Sequence, residues 1–196
     1  MTASLTVAAH AKVNLFLRVL ARESDGYHGI ETLFCRLELA DTLTAQPSES
    51  PGVTLVMEGA DAGPVEENLA GRAARAVQGA VRAPIGVHLT LVKSIPVGAG
   101  LGGGSADAAA ALTAVNHLHQ NAVPGAELLH HAARLGADVP FCLSGASLAL
   151  GWGHGERLLT LAPLPSAPVL LLTPPIPVRT TEAYRWLDES RATPVV

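Results

Sequence analysis

The sequence has little cysteine, little charge and no long apolar run, and each shortage removes a class of protein. Cys35 and Cys142 are its two cysteines. Both sit in apolar settings without Cys-x-x-Cys spacing, so they read as buried free thiols of a reducing cytosol, not as a disulfide or metal site. Charged residues make up 15% of the chain, the net charge is −4 and no basic run occurs, so the electrostatic footprint of a nucleic-acid binder is missing. No apolar run reaches the roughly 18 residues of a membrane-spanning helix. Lys12 and Asn14 interrupt the N-terminal stretch early, where a secretory signal would stay apolar. A cytoplasmic protein without nucleic-acid or membrane partners is therefore expected. Eight histidines invite a metal site, but His117 and His119 lie two apart and His130 and His131 are adjacent. Neither pair shares a helix face, and zinc-binding helices use spacings of three or four.

What is present is apolar and glycine-rich. Hydrophobic residues are 48% of 196, enough for a folded chain of one or two domains with a sizeable core. Five glycines, Gly98, Gly100, Gly102, Gly103 and Gly104, fall within seven residues and run into Ser105 and an alanine-rich segment. Glycine reaches backbone angles closed to other residues and lets a ligand approach closely. Ser105 reads as a helix N-cap, with Asp107 in the first turn. A glycine turn opening onto a helix N-terminus is a ready phosphate site. Three alternatives remain. The letters Gly98-x-Gly100-x-x-Gly103 fit a dinucleotide fingerprint, which wants an acidic residue about 20 positions on, where Gln120, Asn121 and Pro124 stand. A P-loop closes with Gly-Lys-Ser/Thr, and no lysine follows Lys93. A flexible linker would not continue into so regular a helix.

Along the chain, residues 3–20 begin apolar and then alternate from Lys12, which predicts a strand with Val13, Leu15, Leu17 and Val19 on one face. Lys12 and Asn14 share the other face, about 7 Å apart, as a solvated surface or as part of a site. Asp25-Gly26 predicts a turn carrying Tyr27 and His28, an aromatic ring and an imidazole that suit a flat base or simply decorate a hairpin loop. A second strand is expected over 30–46, broken near Asp41, then a loop with a short strand at 53–57. A helix fits from Glu66, with Asn68 as its cap, and a strand over 85–92 ends in Lys93. A small-residue helix is expected over 108–119. Another spans 126–135, closed by Gly136 as a left-handed cap. Asp138 is the one carboxylate in the apolar run 135–143, expensive there unless paired, and so a residue for chemistry or a buried anchor. A hairpin over 145–161, a strand over 168–173, a proline-rich stretch at 174–177 and a short helix over 180–189 complete the pattern.

Four segments, Ala11-Lys12-Val13-Asn14-Leu15, Asp25-Gly26-Tyr27-His28, residues 95–109 and Gly136-Ala137-Asp138-Val139-Pro140, resemble in order the GHMP superfamily of small-molecule kinases, and nearly the whole chain is covered. The second and fourth together point to the branch that phosphorylates a cytidine diphosphate-bearing alcohol in the non-mevalonate route to isoprenoids. The resemblance implies an α+β fold with a mixed sheet packed with helices, of the ribosomal protein S5 domain 2-like kind. It implies an N-terminal ATP-binding domain over 1–162 and the start of a further domain over 163–196. That domain's third glycine-rich motif has no counterpart after Gly155, so a C-terminal portion is expected to be missing. By resemblance Lys12 and Asp138 are the catalytic pair. Pro96, Val97, Gly98, Ala99, Gly100, Leu101, Gly102, Gly103, Gly104, Ser105 and Ala106 wrap the phosphates of ATP, and Asn68 and Lys93 stand near its adenine. Asn14, Tyr27 and His28 hold the cytidine part of the substrate, with Thr180 and Tyr184 as the opposite wall. Mg²⁺ is implied alongside ATP, with Ser105 able to offer it a hydroxyl. Another GHMP kinase of a different alcohol, or a nucleotide-binding fragment without catalysis, are the competing readings.

Overall fold

The structure is a computed structural model describing residues 4–23, 26, 28–59, 64, 66–173 and 180–192. The elements are β1 (Leu5–Arg22), β2 (His28–Ser48), β3 (Val53–Gly59), α1 (Leu69–Ala80), β4 (Gly86–Lys93), α2 (Gly103–Leu118), α3 (Gly125–Leu135), α4 (Val139–Ser144), β5 (Leu148–Gly153), β6 (Arg157–Thr160) and α5 (Thr180–Ala192). Six strands form one mixed sheet in the order β3-β4-β2-β5-β6, with β1 also paired to β2. β1 runs antiparallel along most of β2, while β4 and β5 take successive stretches of its other edge, Thr42–Ser48 and Ile30–Cys35. Among the described strands only β3 and β4 pair in parallel. The expected mixed sheet with packed helices is what the chain forms.

Strand periodicity decides what faces inward. In β4, Val87, Leu89, Leu91 and Lys93 are buried in alternation, so the same period that builds the core carries the lysine into it. In β2, Asp41, Leu43 and Ala45 are buried together. β2 therefore continues through Asp41 where a break is expected, because that carboxylate has partners inside. In β1 the register shifts between His10 and Lys12 and again between Asn14 and Phe16. The first shift turns both Ala11 and Lys12 inward. The second ends the expected alternation, and Leu15, Phe16 and Leu17 are all about half exposed. A bulge adds a residue to one strand and re-aims the side chains beyond it.

α2 is buried on nearly every side, the mark of a helix enclosed by neighbours. Its alanines meet α1 and the sheet in a single core that includes Ala73, Val77, Leu43, Leu89, Leu91, Leu112 and Val115. The helix begins at Gly103, five residues before the expected start, with Gly102 in the left-handed region as its cap (φ +69°). Ser105 therefore lies inside the first turn instead of capping it, and Asp107 falls in the second. Gly136 is extended (φ 171°), not a left-handed cap. α4, a helix too short for its periodicity to show in the sequence, comes directly after and ends on left-handed Gly145 (φ +67°). The strand expected over 168–173 does not form. Leu170 and Leu172 are more than four-fifths exposed, and Leu171 alone packs against Ala11, Ile95 and Leu101. An apolar run signals burial, but a strand also needs an edge to pair with. Both cysteines are free, and each is half-buried.

Candidate active site

The glycine loop is pinned at both ends and open between them. Ile95 and Leu101 are buried together with Ala11, while Val97, Gly98, Ala99 and Gly100 are exposed. Gly98, Gly100 and Gly102 all have positive φ, +74°, +74° and +69°, and such turns aim backbone N–H groups into one concavity. α2 opens directly behind it with no side-chain cap on its first turn, so the positive end of the helix faces the concavity.

Lys12 is stitched to that loop. Its backbone N–H donates to Leu101 O at 2.9 Å, and a Cβ on Gly102 would lie 2.9 Å from Lys12 Cγ and Cε. Only glycine leaves room for the lysine stem here. Lys12 Nζ pairs with Asp138 Oδ2 at 3.0 Å and donates to Asn14 Oδ1 at 2.9 Å. Asn14 Nδ2 donates in turn to Thr32 Oγ1 at 2.7 Å, and Thr32 donates to Phe16 O at 2.8 Å. The ammonium stands 5.9 Å from the centre of the Phe34 ring, itself stacked on Phe141. The lysine side chain is 8% exposed and that of Asp138 27%, so the carboxylate is the more open partner. Asp138 precedes α4 but makes no cap bond with its side chain, which leaves both oxygens for the ammonium and for a ligand. Ser105 Oγ lies 3.9 Å from where a Gly136 Cβ would be, so the first turn of α2 faces the segment that carries Asp138.

The chain has two lysines, and the second is also paired with carboxylates. Lys93 Nζ donates to Asp41 Oδ2 and, at 2.7 Å, to Asp107 Oδ2. A Cβ on Gly103 would stand 3.4 Å from that nitrogen, so the cluster lies under the loop. Asp41 Oδ1 also accepts from the N–H groups of Ser94 and Ile95, at 2.5 and 2.7 Å, and fixes where the loop leaves β4. Burial works against the Lys93 charge, but the hydrogen bonds and attraction of Asp107 and Asp41 outweigh it and raise its pKa. Asp107 has one donor, and its buried Oδ1 has no hydrogen-bond partner. Burial raises its pKa, Lys93 pulls it back and the Asp41 charge adds to the rise, so that it comes to about 7. Lys93 is thus a pillar beneath the loop. Asn68 caps α1, accepting from Ala70 N–H at 2.8 Å, and donates to Met57 Sδ at 3.1 Å. The next residue, Leu69, reaches within 3.6 Å of a Cβ on Gly104, so the capped end of α1 adjoins the loop.

His28 lies further along the β1–β2 ribbon, opposite Arg22, buried with its ring 5.0 Å from that of Tyr184. Burial, then the charge of Asp138, raises the Tyr184 pKa, so its phenol lies within the field of the carboxylate. Asp25, Tyr27 and the side chain of Thr180 lie outside the described residues. Burial, then Asp138, pushes the Cys142 thiol up to about 12, which keeps it an unreactive neighbour. Lys12, Asp138, Asn14 and the loop are brought together, with Lys93 and Asn68 behind the loop, while His28 and Tyr184 form a pair of their own that feels the Asp138 charge through Tyr184. The sequence alone does not single out Thr32, Phe34, Asp41 or Asp188. Asp41 carried a usable signal, a carboxylate in a strand that the core required.

The arrangement is thus a glycine loop opening on a buried helix, with a paired ammonium and carboxylate beside it on a mixed sheet. The family described as "GHMP kinases N terminal domain" matches residues 68–146. A crystal structure of 4-(cytidine 5′-diphospho)-2C-methyl-D-erythritol kinase superposes with a TM-score of 0.79 at 42% identity, covering 98% of this chain and 68% of that one. The chain belongs to that kinase family. Relatives named 4-diphosphocytidyl-2-C-methyl-D-erythritol kinase from Pelotomaculum thermopropionicum and Moorella thermoacetica are each 46% identical, over 92% and 95% of this chain and 63% and 64% of their own. The chain therefore spans about three fifths of the length of these relatives. Homoserine kinase from Cytophaga hutchinsonii shares the fold at 21% identity with a TM-score of 0.63, covering 94% of this chain and 60% of that one.

Proposed function

We propose that the chain catalyses transfer of the γ-phosphoryl group of ATP to the 2-hydroxyl of 4-diphosphocytidyl-2-C-methyl-D-erythritol. The observation that carries the proposal is the 3.0 Å Lys12–Asp138 pair seated against Leu101 and Gly102 of the glycine loop. Phosphoryl transfer has a loose transition state, so the protein acts mainly by positioning and by stabilising charge. The N–H groups of residues 98–104 and the start of α2 would cradle the phosphates. Asp138 would accept the proton of the substrate hydroxyl as its oxygen attacks the γ-phosphorus, while the bond to the β-phosphate oxygen breaks and ADP leaves with the electron pair. A positioned base contributes roughly 10²–10⁴ in rate. Lys12, fixed by Asn14 and Phe34, would stabilise negative charge on the attacking oxygen.

Among the described residues no group of three or more His, Cys, Asp and Glu is arranged to hold a metal ion. Mg²⁺ is commonly held by one or two carboxylates together with the phosphates of its nucleotide. Ser105 Oγ and Asp138 would be the residues beside it, and the ion would supply charge neutralisation of the phosphates. The cytidine moiety would rest against Tyr184, His28 and Asn14, with Tyr27 and Thr180, all assigned there by resemblance and the first two paired in the structure. Among the described residues no helix is long and apolar enough to cross a membrane. ADP release with a panel of alcohols tests the reading. Turnover is expected with 4-diphosphocytidyl-2-C-methyl-D-erythritol and not with homoserine or mevalonate. Equal turnover with an alcohol lacking a base would overturn the substrate assignment.

A further inference from the structure

Tyr184, Asp188 and Arg191 are spaced i, i+4 and i+7 on α5, so they lie along one face of that helix. All three engage the β1–β2 ribbon. Asp188 Oδ1 meets His28 Nε2 at 2.7 Å. Arg191 Nη1 and Nη2 donate to Leu20 O and Val19 O, at 2.9 and 2.7 Å, a planar fork placed on two successive carbonyls of β1. The Tyr184 ring stands 5.0 Å from the His28 ring at an interplanar angle of 36°. An ionised carboxylate can only accept, so the shared proton sits on His28 Nε2. None of this serves the phosphate loop or the Lys12–Asp138 pair.

From these contacts we infer that Asp188 and Arg191 are positioning residues. They latch α5 onto the β1–β2 ribbon and fix His28 in its Nε2–H form beside Tyr184, so that the two rings present a set wall to the substrate's base. The inference deepens the proposed function and rests on its assignment of the cytidine side. Asp188 acts only through His28 and α5. Removing it should therefore weaken binding of a cytidine nucleotide and leave an adenine nucleotide held by the loop untouched. The latch ties residues more than 150 positions apart in the chain, so its loss frees α5 without disturbing the sheet.

The test pairs ¹⁵N NMR of the His28 ring with calorimetric titration of cytidine 5′-diphosphate and, separately, ADP, on the purified chain. The wild type should show the Nε2–H tautomer, and Asp188→Ala should lose that bias. Asp188→Ala should bind cytidine diphosphate about tenfold or more weakly, with ADP affinity unchanged. Asp188→Asn, which keeps an accepting oxygen in place, should restore the ring signal and most of the affinity. An unchanged His28 spectrum in Asp188→Ala, or equal losses for both nucleotides, overturns the latch while cytidine binding by the wild type still stands. A wild type that binds ADP but not cytidine diphosphate overturns the cytidine assignment and the wall built on it, even with the tautomer as expected.

Discussion

At the scale of single residues, the site rests on two lysines with different duties. Lys12 leads to a carboxylate that is partly open, and Lys93 to two that are closed off. A buried ion pair is a weak source of stability, because desolvation offsets much of the attraction. The Lys93 cluster matters through geometry, since Asp41 holds the first two loop N–H groups. Asp107 makes this cluster pH-sensitive. Its pKa is about 7 in the folded chain against 3.8 unfolded. Between those values the folded state keeps a proton that the unfolded state has lost, so Asp107 lowers stability as pH rises from about 4 to about 7. Asp107→Asn should remove that slope, and its urea midpoint relative to wild type should be higher at pH 8 than at pH 5. A relative midpoint that is the same at pH 5 and pH 8 would mean that Asp107 is held ionised throughout that range.

At the scale of elements, the junction of loop and α2 carries the chemistry. Gly102 combines a left-handed backbone with the close approach of the Lys12 stem. Gly102→Ala must adopt a conformation costing roughly 1–2 kcal/mol for an L-residue and must also push Lys12 aside. The expected outcome is a loss of about that much in urea-unfolding stability together with a larger drop in ADP release. Stability lost at unchanged turnover would separate Gly102 from the positioning of Lys12. Gly98 and Gly100 share the positive φ, but nothing lies within 4 Å of an added Cβ at either, so their contribution is the shape of the cradle alone.

At the scale of the whole molecule, the parts legible in the sequence were those that act locally. The glycine loop, the Asn68 cap, the alternation of β4 and the hairpin of β5 and β6 each arise from neighbours along the chain. The Lys12–Asp138 pairing came from resemblance and from the cost of a carboxylate in an apolar run. Contacts made through space were hidden. Asp41 meets Lys93 from 52 positions away, and Asp188 meets His28 from 160, and no periodicity encodes such meetings. The bulges of β1 were equally hidden, because a register shift depends on the partner strand. Asp138 is where fold and chemistry meet, and the most direct measurement compares Asp138→Asn with wild type for ADP release in the presence of 4-diphosphocytidyl-2-C-methyl-D-erythritol, alongside ATP affinity. The expected result is a rate lower by about 10² or more with ATP bound as tightly as before. A variant that turns over at the wild-type rate would contradict the assignment of Asp138 as the base.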